Sequence, residues 1–207
     1  MKLKSMKTIV TGMIFSIASL FNVSSASVLT GNLNVDNTFS AYLSTDDNVQ
    51  GALLVSGNDW TVTDTFSTNL TAGTDYYLHV KAEDWGYIAG FLGDFSIDTN
   101  DHVFNNGLAQ LLTNNVDWNV STSGWSNYTT ASTSLLGNSY NGLWPWGLRS
   151  GVDVNADWIW SSESYTDLNA YFSTTITAVT AVPAPSTMII FGLALVGLAS
   201  RRFKKQA

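Results

Sequence analysis

Tyr77-Leu78-His79-Val80-Lys81-Ala82 alternates with a period of two, with Leu78, Val80 and Ala82 on one face and Tyr77, His79 and Lys81 on the other. Successive side chains of a strand point to opposite faces, so the stretch reads as a strand with one buried side. Phe39, Ala41 and Leu43 repeat the pattern upstream. From Leu33 to Ile176 no apolar recurrence at helical spacing is sustained. Short aromatic and β-branched runs recur instead between clusters of Gly, Asn, Asp, Ser and Thr. Further strands are expected at 61–66, 90–97, 157–160 and 171–177, and only 107–112 reads as a helical turn. The fold class is therefore all-β, an antiparallel β-sandwich or jelly roll that buries its alternating faces without crossover helices.

Charge separates this body from its flanks. All 16 acidic residues fall between Asp36 and Asp167, against only Lys81 and Arg149 of the 9 basic ones, so the body carries a net −14. Such a surface repels nucleic acid and other phosphate-rich partners. Fourteen of the acids are Asp, the short carboxylate that builds turns and supplies oxygen ligands to calcium. There is no cysteine, which leaves neither a disulfide framework nor a thiolate metal site.

Both ends read as handling segments. Lys2, Lys4 and Lys7 precede a mostly apolar stretch, 8–21, and then Ser24-Ser25-Ala26 with small residues at the exit. This is the pattern of a removable signal peptide, 1–26, with the mature chain starting near Ser27. At the other end Pro183-Ala184-Pro185-Ser186 leads into an apolar run, 188–199, and a basic cluster of Arg201, Arg202, Lys204 and Lys205. Twelve strictly apolar residues fall short of the roughly 20 that span a bilayer comfortably, which suits a transient anchor with its basic end on the cytoplasmic side.

The Pro-x-Pro turn, the short helix containing Gly192 and Gly197 and the terminal Arg/Lys cluster resemble the PEP-CTERM sorting signal of exopolysaccharide-producing Gram-negative bacteria. Ala184 stands where that signal usually has Glu. The resemblance implies a sorting segment at 183–207, marked by Pro183, Pro185, Arg201 and Arg202. It also implies a membrane protease of the exosortase type as partner and an inner-membrane stage before release to the cell surface. An ordinary C-terminal anchor is the alternative reading of the same residues.

The body, 27–182, is expected to be one domain. Asp36-Asn37-Thr38-Phe39, Trp60, Leu70-Thr71-Ala72-Gly73, the strand from Tyr77 to Ala82, Ala89-Gly90-Phe91 and Ala156-Asp157-Trp158-Ile159-Trp160 are similar to the β-sandwich of galactose-binding-like modules. That similarity implies the fold more than a ligand.

All eight tryptophans lie in the body. An indole face stacks on the C–H face of a sugar while neighbouring Asp or Asn reads the hydroxyls, so a Trp-rich and Asp-rich surface suits glycan binding. Trp85 and Tyr87, in Glu83-Asp84-Trp85-Gly86-Tyr87, are expected on an exposed loop. Trp144 and Trp146 flank Pro145 in a segment that reads equally as a second binding loop or as a plug over one end of the sandwich. Trp158 and Trp160, two residues apart, are expected in the core.

Asp46, Asp47, Asp98 and Asp101 sit in turn-like segments, and calcium is the cofactor they admit. Asp153-Val154-Asn155-Ala156-Asp157 opens like a calcium loop but has Trp158 where Gly is needed and Ser164 where a bidentate Glu is expected. His79 and His102 are too few for a histidine-based zinc site, and His79 reads as an exposed strand residue. There is no Gly-x-Ser-x-Gly elbow, phosphate-cradling loop or dinucleotide fingerprint. The expectation is an exported, non-catalytic protein that binds polysaccharide or contributes to an exopolysaccharide or biofilm matrix. A hydrolase or lyase using paired carboxylates is the rival, and an architectural protein with no saccharide contact is a third reading.

Overall fold

The computed structural model describes residues 26–135 and 139–179. The signal segment below Ala26 and the sorting segment, with Pro183, Pro185, Arg201 and Arg202, lie outside the described residues. Thirteen strands and no helix are found among the described residues. They are β1 (Ser27–Asp36), β2 (Thr38–Ser44), β3 (Ala52–Gly57), β4 (Asp64–Leu70), β5 (Tyr76–Glu83), β6 (Gly90–Ile97) and β7 (His102–Phe104), followed by β8 (Gln110–Leu112), β9 (Asn119–Ser121), β10 (Thr129–Thr130), β11 (Ser132–Thr133), β12 (Ile159–Trp160) and β13 (Asn169–Ala178).

Two antiparallel sheets result. One runs β11-β12-β6-β1-β4 with β8 also on β6, and the other runs β10-β9-β13-β5-β2-β3 with β7 also on β13. The alternating faces lie inward as the sequence dictates. Leu78, Val80 and Ala82 of β5 and Phe39 and Ala41 of β2 meet Leu29, Leu33 and Val35 of β1 and Phe91 and Phe95 of β6 in one core. Trp118 fills its middle, edge-on to Phe91 with ring centroids 5.2 Å apart, and its indole N–H donates to the Leu112 carbonyl at 3.2 Å. Each buried aliphatic side chain here contributes about 1.5–3 kcal/mol relative to exposure, so this core carries the stability that disulfides cannot.

Each sheet is also covered in part on its outer side. Over the first, Trp146, Val152, Ala156 and Trp158 pack with Ile88 and Leu92 in a second apolar cluster. Trp158 and Trp160 therefore do not share one core, as their spacing suggested. Trp160 packs with the inter-sheet core beside Phe172, whereas Trp158, outside the two-residue β12, faces the second cluster. Over the second sheet, the β2–β3 turn and the stretch around Trp125 cover His79, which is 0% exposed and not the solvent-facing residue its position on the strand implied. The expected helical turn at 107–112 is also absent. Gly107, at φ +77°, closes a turn, and β8 then runs extended against β6.

Strand directions give the sandwich two distinct ends. Ser27 pairs with Leu70, Leu29 with Ile97 and Ala178 with His102, so the first and last described strands start and finish at one end, together with the β2–β3, β4–β5 and β6–β7 turns. Asp36 opposite Gly90, Thr38 opposite Glu83 and Asn169 opposite Glu83 place the β1–β2, β3–β4, β5–β6 and β12–β13 connections at the other. The ends are about 30 Å apart along β13 at roughly 3.3 Å per residue.

Candidate functional site

The end remote from Ser27 and Ala178 carries exposed aromatic side chains. Trp85 and Tyr87 are each 71% exposed, and Tyr165, also exposed, meets Tyr87 edge to face at 6.4 Å between ring centroids. The loops that carry them are fixed from below. Trp85 N donates to Asn37 Oδ1 at 2.6 Å, Gly86 N to Asp84 Oδ2 at 2.9 Å, Asp84 N to the Leu168 carbonyl at 2.9 Å and Ala89 N to the Ser164 carbonyl at 2.9 Å. Tyr87 takes a positive φ of 89°, a conformation that costs a non-glycine residue of order 1–3 kcal/mol, and the flanking hydrogen bonds hold it there. The rings project while their backbone is held, an arrangement that lowers the ordering cost of binding.

Beside Tyr165 lies an open groove of about 750 Å³, lined by Ser132, Thr133, Ser134, Asn115, Glu163 and Ser164 among others. Its hydroxyls, amide and carboxylate offer both donors and acceptors, the chemistry that reads a polyhydroxylated ligand.

The segment around Pro145 divides between its two readings. Trp144 is 69% exposed and free to make contacts. Trp146 is 3% exposed, stacks on Trp158 at 4.3 Å and 18°, and donates its indole N–H to Asp36 Oδ2 at 2.9 Å. It is a plug, and of the two indoles only Trp144 is left exposed. Arg149 lies over the Trp60 ring at 5.1 Å, and Thr63 Oγ1 donates to the Ser150 carbonyl at 2.7 Å, which ties this segment to the β3–β4 loop.

Two carboxyls lie under the exposed loops. Burial raises the pKa of Asp36, against the lowering effect of the Trp146 hydrogen bond, and the neighbouring Asp84 charge raises it further. Burial likewise raises Asp84, whose Oδ1 has no hydrogen-bond partner. Sequence spacing gives no hint that these two are neighbours, which follows from the pairing of Thr38 with Glu83 across β2 and β5.

The proposed calcium ligands do not form one donor set. Asp46 and Asp47 lie on the β2–β3 turn, and Asp98 and Asp101 on the β6–β7 turn. Asp46 Oδ1 accepts from the Asn48 backbone N at 2.9 Å, and Asp98 Oδ1 from Val28 N at 2.7 Å. Among the described residues no group of three or more His, Cys, Asp or Glu side chains is placed to hold a metal ion. These four carboxylates lie in two separate turns. At 153–157 the Asp153 carboxylate caps its own turn, accepting from Asn155 N at 2.8 Å.

Asp47 has another task, which the sequence did not reveal. Its Oδ1 accepts from Ser173 Oγ at 2.5 Å and from His79 Nε2 at 3.0 Å, while Trp125 stacks on His79 at 4.4 Å and Tyr128 OH donates to the Asp47 carbonyl at 3.1 Å. Burial, chiefly, raises the pKa of the Tyr128 hydroxyl, so it stays a neutral donor. Ser, His and Asp are all present, but in the wrong order for a nucleophile. The serine bonds to the carboxylate and not to the imidazole, so the histidine is not placed to take its proton. His102 is equally buried, with Nδ1 2.9 Å from Ser27 Oγ and Nε2 3.1 Å from the Thr74 carbonyl. Both histidines are structural.

Residues 181–205, beyond the described body, match the PEP-CTERM protein-sorting motif. The chain thus carries the signal of an exported protein that is anchored transiently in the membrane and sorted by an exosortase. Comparison with curated proteins and with solved structures gave no match.

Proposed function

We propose that the exported sandwich is a non-catalytic polysaccharide-binding module, displayed at the cell surface or in the extracellular matrix and contacting its glycan through Trp85, Tyr87, Tyr165 and Trp144. One observation carries this reading. The exposed aromatic loops occupy the end of the sandwich opposite the one where β13 leads into the sorting motif. A module held at the membrane through its C-terminal segment would present those rings outward, away from the anchor. The aromatic faces supply sugar stacking, and the groove beside Tyr165 supplies hydroxyl recognition.

The protein recovered from its host after export, applied to the host's exopolysaccharide immobilised on a support, is expected to be retained. Trp85→Ala and Trp144→Ala should each cut retention by about tenfold or more, as loss of a stacking contact worth 1.4 kcal/mol requires. Wild-type levels of retention in both variants would overturn the reading. A second reading, a hydrolase or lyase, draws on the raised carboxyls of Asp36 and Asp84 beneath the same loops. Release of oligosaccharide by the wild type, lost in Asp84→Asn, would establish it in place of the first.

A further inference from the structure

Among the described residues the sheet edges, those of the three-residue β7 and β8 included, are protected unequally. β10 and β11 are two residues long, too short to template another strand. β3 is longer but bulged: Val55 faces Ala41 and Leu53 faces Tyr42, which leaves Leu54 unmatched. Short edges and bulges are two of the devices by which sheets avoid edge-to-edge pairing. β4 has neither. Its seven residues run in unbroken register with β1 from Leu70 opposite Ser27 to Asp64 opposite Leu33, and among the described residues no strand pairs with its other side. No charge or proline occurs from Thr65 to Thr74.

The geometry points to β4 as the docking edge for a second copy of this chain, by antiparallel β4–β4′ pairing about a two-fold axis near Ser67. Two bodies of net −14 repel wherever carboxylates face one another, so the stretch of β4 after Asp64 is where they can approach most closely, since Thr65 to Leu70 carry no charge. An isologous antiparallel pair needs only one surface, and this one complements itself. Centred on Ser67, it sets Thr65 against Asn69′ on the solvent face and Phe66 against Thr68′ on the core side, so the exposed Thr65, Ser67 and Asn69 meet groups of their own kind. Because the pairing is antiparallel, the two C-terminal segments leave from opposite ends of the dimer. That suits copies already released from the membrane or borne on facing surfaces.

The absence of cysteine makes the test direct, since Ser67→Cys introduces the only thiol of the full chain. On cells exporting this variant, mild oxidation is expected to give a disulfide-linked dimer at several times the yield of Val116→Cys, an exposed site away from β4. Thr65→Cys and Asn69→Cys cover two-fold axes displaced by two residues along β4. The exported wild-type protein should sediment as a dimer, and Ser67→Lys as a monomer with an unchanged circular dichroism spectrum. Cross-linking no greater at all three β4 positions than at Val116, a monomeric wild type, or a Ser67→Lys variant that remains dimeric would each overturn the assignment. Glycan retention is read separately, so failure of this pairing leaves the aromatic end untested by it.

Discussion

Trp146 and Trp158 lie face to face, ring centroids 4.3 Å apart, against the backbone of Gly90. A Cβ at Gly90 would come within 2.7 Å of the Trp158 ring and 2.9 Å of the Trp146 ring, so the missing side chain is what admits the stack. Through Asp36 the Trp146 indole ties the segment around Pro145 to the β1–β2 turn.

Two neighbouring tryptophans should therefore behave oppositely on truncation. Trp146→Ala is expected to cost about 3–5 kcal/mol of stability, because it empties a closed apolar site. Trp144→Ala should stay within about 0.5 kcal/mol while losing glycan retention. Gly90→Ala should cost about 1–3 kcal/mol by overpacking the stack. Urea unfolding followed by tryptophan fluorescence reads all three.

Asp47→Ala removes the acceptor shared by the buried His79 and Ser173. Each unpaired buried donor costs of order 1–3 kcal/mol. Asp47 is only partly buried, so water can enter and the net loss should be about 2 kcal/mol. Asp47→Asn keeps an acceptor oxygen and should recover part of it. Thermal unfolding of the three proteins side by side checks the order wild type, Asn, Ala.

A chelator is expected to leave the melting temperature unchanged, because Asp46, Asp47 and Asp98 accept hydrogen bonds from within the protein and Asp101 is not grouped with them. A drop of several degrees in excess EDTA, restored by calcium, would show that backbone carbonyls complete an ion site that the side chains alone do not.

Much of the fold was legible because period-two burial is a local property. β6 falls at the expected 90–97, and β5, β2 and β13 lie close to their expected positions. β1 and β3 escaped notice for different reasons. β1 is interrupted by Gly31 and carries the buried Asn34, which is satisfied by the Trp60 and Val62 carbonyls, while β3 is an edge with no fully buried residue. Exposure was legible where it depended on a single loop, as with Trp85 and Tyr87. It was not where two distant segments meet. Tyr165 joins Tyr87 only because β5 and β13 are neighbours, and His79 is buried only because Asp47 and Trp125 close over it. Trp144 and Trp146 share a composition, and only the second cluster distinguishes them.

Acid should stabilise this protein before it unfolds it. Burial raises the pKa of Asp36, Asp64, Asp84, Asp94 and Asp157, whereas only the exposed Asp59 is clearly lowered, by its Thr61 hydrogen bonds. A carboxyl raised in the folded state binds its proton there at a pH where the unfolded chain has already lost it. Folding then takes up protons, and stability falls as pH rises through that window. The expected profile is a melting temperature that climbs as pH is lowered from 7 toward the ordinary carboxylate value of about 4. Asp84→Asn should raise the melting temperature at pH 7 and flatten part of the slope, because the amide removes a charge that burial disfavours more than the Gly86 hydrogen bond favours it. A melting temperature that falls steadily from pH 7 to 5 in both proteins would mean that paired carboxylates, not buried ones, dominate the titration.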